Sequence, residues 1–271
     1  MSANTSFALE TESSDDEEIE PKLKYARISN DLKKILSKDA VSCIAAHSKF
    51  ICIGTHWGAV HLLDLEGNTV DNAINRNHNF PAHMVSVNQI SIDSRGEFIG
   101  TCSDDGAVVI NSFYTNENNH TMNIGRAVKS ISLDPMYFKS GSGRRFIIGD
   151  TRLILYEKTF LKGLKQTVLH EAEGFVSAIA WTDNFVAWAS AIGVRVYDLN
   201  EKCSLGLIKW EEPKDALLND FRCNLKWSNA TTLLIGWVDI VRVCVLRKRN
   251  SFEVSTRGLP DFIVDPSEFH I

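Results

Sequence analysis

The chain has 271 residues, 44% of them hydrophobic, enough to bury a substantial core as one large domain or two small ones. Residues 1–20 hold seven acids and no Lys or Arg, which leaves 29 basic groups facing 27 of the 34 acids in the body. A body so near neutrality, with its cations scattered, lacks the field that draws a protein to nucleic acid, and no apolar run approaches the ~20 residues needed to cross a bilayer.

The N-terminal stretch carries no signal-peptide pattern, so the sequence places the chain in the cytoplasm. Its leader, Glu10 to Glu20 (ETESSDDEEIE), is too polar to bury itself and is expected to be disordered over residues 1–20. Ser13 and Ser14 precede acids and suit an acid-directed kinase. Residues 21–271 are read as one domain.

A repeated pattern fills that domain: an apolar strand, a small-residue turn and a second strand, with a further strand ahead of them. It begins at Ala40 (AVSCIAAHSKFICIGTHWGAVHLLDLEGN), Asn88, Val128, Val176 and Cys223. The matching centres Gly54, Gly100, Gly149, Trp188 and Gly236 are spaced close to the ~40–45 residues of a propeller blade. Short β-branched and aromatic runs bounded by Gly, Asn, Asp and Ser indicate antiparallel strands and tight turns. The fold class is therefore all-β: a β-propeller of WD-type four-stranded blades, near residues 40–70, 88–114, 128–158, 176–202 and 223–250. No copy has the Trp-Asp dipeptide; Asp-Leu stands in its place in LLDLEGN and VYDLNEK.

Five blades, or six with strands from the chain ends, predict an incomplete ring. It would have an open wedge, with unpaired strand backbone near Asp239 to Leu246 and near the first blade.

Enzyme and metal signals are weak. KSGSGRRF (Lys139 to Phe146) lacks the Gly-Lys-Ser/Thr ending of a phosphate loop and reads as a loop between strands. His56 with His61, and His78 with His83, are spaced by five, an odd offset that puts strand side chains on opposite faces. SDDG (Ser103 to Gly106) reads as a hairpin turn. His170, Glu171 and Glu173 in LHEAEG have no nucleophile beside them and suit capping or inter-blade hydrogen bonds. The six cysteines never form Cys-x-x-Cys and read as small core residues, and Trp181, Trp188 and Trp227 as packing. The residues thus predict no catalytic, cofactor or metal site. Arg247, Lys248, Arg249 and Arg257 in RKRNSFEVSTR are candidates to meet anionic lipid headgroups or an acidic partner.

The stretches PKLKYARISN (Pro21 to Asn30), VSCIAAHSKFICIGTHWGAVHLLDLEGN (Val41 to Asn68), VLHEAEGFVSAIAWTDNFVAWASAIGVRVYD (Val168 to Asp198) and LKWSNATTLLIGWVDIVRVC (Leu225 to Cys244) resemble the N-terminal propeller of the vacuolar protein sorting forty-one family, over roughly residues 21–262. The resemblance implies a non-enzymatic role within the homotypic fusion and protein sorting (HOPS) tethering complex. That complex docks late endosomes, autophagosomes or regulated vesicles to lysosomes. It implies as partners the other HOPS subunits, Rab- or Arl-type small GTPases directly or through adaptors, and the AP-3 coat, with peripheral attachment to late endosome and lysosome membranes. Family members continue into helical repeats and a zinc-binding end that this chain lacks, so it reads as a fragment or short form. Two other classes remain: a generic WD-type scaffold in a coat or ubiquitin-ligase complex, and a propeller hydrolase with polar groups converging at the channel.

Overall fold

In a computed structural model, the structure describes residues 27–70, 83–115, 118–159, 163–171, 174–210, 222–237, 240–249 and 262–270. All five repeats form antiparallel sheets, each meandering from an inner to an outer strand. Blade 1 is preceded by a single helical turn, α1 (Leu32–Leu36), and has three described strands: β1 (Val41–Ala46), β2 (Ile51–Thr55) and β3 (Val60–Leu63). Blade 2 comprises β4 (Val87–Ile92), β5 (Phe98–Ser103), β6 (Ala107–Ser112) and β7 (His120–Asn123). Blade 3 comprises β8 (Ser130–Leu133), β9 (Phe146–Gly149), β10 (Arg152–Thr159) and β11 (Gly163–Glu171). Blade 4 comprises β12 (Ala178–Thr182), β13 (Phe185–Ser190), β14 (Gly193–Asp198) and β15 (Cys203–Lys209). Blade 5 comprises β16 (Asn224–Trp227), β17 (Thr232–Trp237), β18 (Ile240–Lys248) and β19 (Phe262–His270).

The turns follow from local chemistry. Asp64 and Asp198, the acids of the two Asp-Leu pairs, each close the turn after a third strand: Asp64 accepts from the N–H groups of Glu66 and Asn68, Asp198 from those of Asn200 and Glu201. KSGSGRRF is a loop between β8 and β9, tightened by one 3₁₀ turn at Ser140–Ser142.

The core lies between blades, because central strands bury both faces. Phe50, Cys52 and Leu62 of blade 1 meet Ile90 and Ile99 of blade 2. Val108 and Ile110 of blade 2 meet Ile131 and Leu133 of blade 3. Ile147 and Leu153 of blade 3 meet Ile179, Trp181 and Trp188 of blade 4, and Ala187, Val194 and Val196 of blade 4 meet Trp227, Leu233 and Ile235 of blade 5. Trp188 is only 1% exposed, and Trp181 and Trp227 are buried. Cys52, Cys102, Cys223 and Cys244 are buried, and Cys43 and Cys203 half-buried, all as free thiols. Burial pushes the Cys43 thiol up to about 11 and that of Cys223 to about 12, so neither is a thiolate at neutral pH.

Two sequence expectations are corrected. The backbone near Asp239 to Leu246 was expected to be unpaired. Asp239 lies outside the described residues, but β18 from Ile240 onward is paired on both sides, with β17 and with β19 from Ile240↔His270 to Lys248↔Phe262. Blade 5 therefore continues past residue 250 and completes its four strands. The repeat centres also shift: Cys43 pairs with Gly54, Gln89 with Cys102, Ser130 with Gly149, Ala178 with Ala189 and Asn224 with Gly236. The equivalent small residues are thus Gly54, Cys102, Gly149, Ala189 and Gly236: blades 1 and 2 carry the same bulge, Val41/Cys43 and Val87/Gln89, and after it Gly54 and Cys102, not Gly100, stand opposite the inner strand.

Consecutive blades pack through their inner strands from blade 1 to blade 5, and no comparable packing joins blade 5 back to blade 1 among the described residues. The open side of the ring thus exposes sheet faces rather than the edge of β18.

Candidate interaction face

At one end of the propeller lie the segments entering each blade and the turns between second and third strands. Carboxylates organise this end. The Asp105 carboxylate accepts the Ala107 N–H at 2.8 Å and the Met84 N–H at 2.7 Å, so the turn of blade 2 holds the segment entering that blade. Beside it His83 is buried, its Nε2 2.8 Å from Thr101 Oγ1 and its Nδ1 3.6 Å from Asp105 Oδ1. Burial lowers the His83 pKa, opposed by the Asp105 charge, so the ring is held neutral. Blade 3 repeats the device with different chemistry: Arg126, in its entering segment, pairs with buried Asp150 in its turn. In blade 1 the polarity is reversed, with Asp39 of the entering segment accepting the Trp57 N–H of the turn at 3.1 Å.

These anchors hold apolar side chains out into solvent. Trp57 is 80% exposed and Met84 88%. They are neighbours, because the His83 N–H donates to the Gly58 carbonyl at 2.9 Å, and Val85 adds a third exposed side chain. Further round the same end, exposed Phe175 sits 5.5 Å from Lys129 Nζ, which also pairs with Asp104 at 2.8 Å. Toward the axis, Gln89 of β4 donates to the Ile179 carbonyl of β12 while accepting the Ile131 N–H of β8, and Arg222 donates to the Asn88 carbonyl. The polar groups nearest the channel are therefore engaged in holding inner strands together.

Of the sequence candidates, Ser13, Ser14 and Arg257 lie outside the described residues. Arg247 and Lys248 end β18 as successive residues, so their side chains leave on opposite faces. Arg247 pairs with Asp265 at 3.0 Å, and Arg249 follows the strand. The structure does not bring these cations together with Trp57 and Met84. SDDG is a turn as read, but it also clasps His83 and Met84, a long-range role its spacing does not show. His78 lies outside the described residues, and no group of three or more His, Cys, Asp or Glu suited to a metal forms among those described. Trp57 and Met84 escaped the sequence reading. Their signal is a large apolar side chain at a turn or entering loop, where Gly, Asn, Asp and Ser are the rule.

The model of the Vps41 β-propeller family, described as "Vps42 beta-propeller", matches residues 23–270. The chain belongs to the Vps41 β-propeller family. The Danio rerio vacuolar protein sorting-associated protein 41 homolog is 39% identical over 257 residues, covering 94% of this chain and 28% of that protein. The Arabidopsis thaliana homolog is 40% identical over 238 residues, covering 85% and 23%. The chain thus spans about a quarter of the length of these Vps41 relatives. Among solved structures, the Cps50 (Swd1) β-propeller domain of "Myceliophteria thermophila" aligns with a TM-score of 0.62 at 13% identity, covering 86% of this chain and 73% of that one. A chain of a mitotic checkpoint complex aligns at 0.53 and 13% identity, covering 77% and 61%. Both show that the Vps41-type fold here is a propeller. No helix among the described residues is long and apolar enough to cross a membrane.

Proposed function

We propose that this chain is a non-enzymatic interaction module of a HOPS-type tethering subunit, acting in docking and fusion at late endosomes and lysosomes as a peripheral membrane component. The observation that carries the reading is the anchored, exposed pair Trp57 and Met84, since Trp and Met are enriched where interfaces bury their core. Family membership supplies the setting, and Rab- or Arl-type GTPases, the AP-3 coat and other tethering subunits are the partners it favours. The ionisable groups at this end support a binding role, because His83, Arg126, Asp105 and Asp150 are tied to one another in holding the blades. Affinity purification of the tagged chain from cells, followed by mass spectrometry, tests the proposal. Recovery of tethering subunits or these GTPases, lost on Trp57→Ala with Met84→Ala, is the expected result. Recovery of coat or ubiquitin-ligase subunits in their place would overturn it.

A further inference from the structure

The end of the propeller opposite Trp57 and Met84 carries the turns between first and second strands and those after third strands. In blades 4 and 5 the first-to-second turns, Thr182 to Phe185 and Trp227 to Thr232, contain no Lys or Arg. In blades 1 to 3 the same turns hold five: Lys49, Arg95, Lys139, Arg144 and Arg145.

Contacts across the blades gather them. Lys49 Nζ donates to the Arg95 carbonyl at 3.2 Å, and the Ser94 N–H donates to the Pro135 carbonyl at 3.0 Å. Arg95 and Lys139 both stand over the Phe138 ring, 4.6 and 5.9 Å from its centroid. Lys49, Arg95 and Lys139 are exposed. The acids among them do not neutralise them: Asp134 pairs with Arg145 at 2.7 Å, and Glu97 comes only to 3.4 Å from Arg95. Asp93 is buried, accepting the N–H groups of Glu97 and Phe98, while Glu157 lies across from Lys165 on its own hairpin. Lys49 and Lys139 have no carboxylate partner among the described residues, so the centre of this face is left positive.

The path of the chain leads to the same end. Ile28 packs on Gly67, and the Asn30 side-chain amide donates to the Glu66 carbonyl at 3.1 Å, so Arg27 stands by the turn after β3 of blade 1. β1 lies two strands in from β3, which puts the Lys49 turn ~10 Å away at ~4.8 Å per strand. Glu20 and Glu10 precede Arg27 by seven and 17 residues, giving them a reach of up to ~23 and ~56 Å at ~3.3 Å per residue.

We propose that the acidic leader, Glu10 to Glu20, docks on this basic face as an intramolecular ligand. Its seven carboxylates, with no Lys or Arg among them, supply the complementary charge. The tether holds them at an effective concentration on the order of millimolar, so ion pairs that are weak between separate molecules suffice here. Docking by charge requires no fixed fold of the leader. An anionic partner must then displace the leader to reach Arg95 and Lys139, and phosphorylation of Ser13 or Ser14 strengthens the leader's hold.

The test titrates a fluorescein-labelled Glu10 to Glu20 peptide, by anisotropy in low salt, against the whole chain and against a whole chain whose leader has its five Glu changed to Gln and its two Asp to Asn. The neutralised leader leaves the face open, so that chain should bind the peptide at least tenfold more tightly than the unaltered one. Salt at about 0.5 M should abolish the difference. Arg95→Glu with Lys139→Glu in the neutralised chain should weaken binding at least tenfold at an unchanged melting temperature, since both side chains are exposed. Lys209→Glu with Lys226→Glu, exposed on blades 4 and 5, controls for net charge and should change binding less than twofold. Equal binding by the two chains, no effect of Arg95→Glu with Lys139→Glu, or an equal effect of the control pair would each overturn the proposal. So would phosphatidylserine vesicles that bind the unaltered chain through Arg95 and Lys139 as tightly as the neutralised one, because the face would then stand open to a membrane.

Discussion

Trp188→Ala removes the largest side chain buried between two blades. Its indole is 1% exposed and lies among Ile147, Leu153, Val176, Ile179 and Val186, with the His170 ring at 5.2 Å and the Tyr197 ring at 6.3 Å. Apart from Val176, those neighbours are strand residues held by ladders in two different sheets, so the space cannot collapse by moving one loop. The expected loss is therefore at the full scale for a buried aromatic, ~3–5 kcal/mol, a large share of the ~5–15 kcal/mol that stabilises a typical domain. Urea unfolding followed by far-ultraviolet circular dichroism measures it, with an unchanged slope showing that the unfolded state is unaltered. Trp57→Ala is the internal control, because its side chain is 80% exposed and its loss should stay within about 0.5 kcal/mol. A loss below about 1 kcal/mol for Trp188→Ala, or equal losses for both variants, would refute the inter-blade assignment.

Burial holds His83 below its ordinary pKa, so the unfolded chain binds a proton that the folded chain refuses. The stability it contributes is present above about pH 6.5 and is lost as pH falls through and below that value; half-buried His61, also lowered by burial, acts in the same direction. The melting temperature should accordingly fall between pH 7.5 and 5.5, and less steeply in His83→Gln; identical slopes would exclude His83 as a contributor. Gly149→Ala should cost ~1–3 kcal/mol by overpacking against Val176, whereas Gly236→Ala should change the stability of the isolated chain by less than about 0.5 kcal/mol, both read by urea midpoints. Asp105→Ala removes the acceptor of two backbone N–H groups and should cost ~1–3 kcal/mol and raise amide exchange at Met84. Unchanged exchange there would show that the segment is held by something else.

The blades were legible because each repeat writes its strands twice, in β-branched runs and in the Gly and Asp that end them. Asp64 and Asp198 show this well: the dipeptide seen in sequence is the turn seen in space. Register was not legible. Gly100 and Cys102 are both small, and only the strand pairing, Gln89↔Cys102 and Ser91↔Gly100, shows which of them stands where Gly54 does. A strand from the C-terminal end was expected, but not its place as the outermost strand of blade 5, where Pro266 is tolerated and a long segment separates it from β18. The clasp of His83 with Thr101 and Asp105 joins residues 18 and 22 apart, so neither local spacing nor composition announces it.

Repetition supplies the more general argument about where function lies. In a fold built from equivalent units, a buried residue such as Ile131 is explained by its counterparts Ile90 and Ile179, which do the same work one blade away. A residue that departs from its counterparts is not explained in that way. Ile44 is exposed and Gly236 has only Asn224 of its own blade beside it, so both mark where inter-blade packing stops among the described residues. Trp57 and Met84 depart without any such cause. Their backbones are fixed by Asp39 and by Asp105, and their blades pack against each other. A fold in which two carboxylates hold the backbone beneath an exposed indole and an exposed thioether gains little for its own stability from either side chain. That is why the exposed Trp57 and Met84, rather than any buried member of the repeats, carry the proposed interaction role.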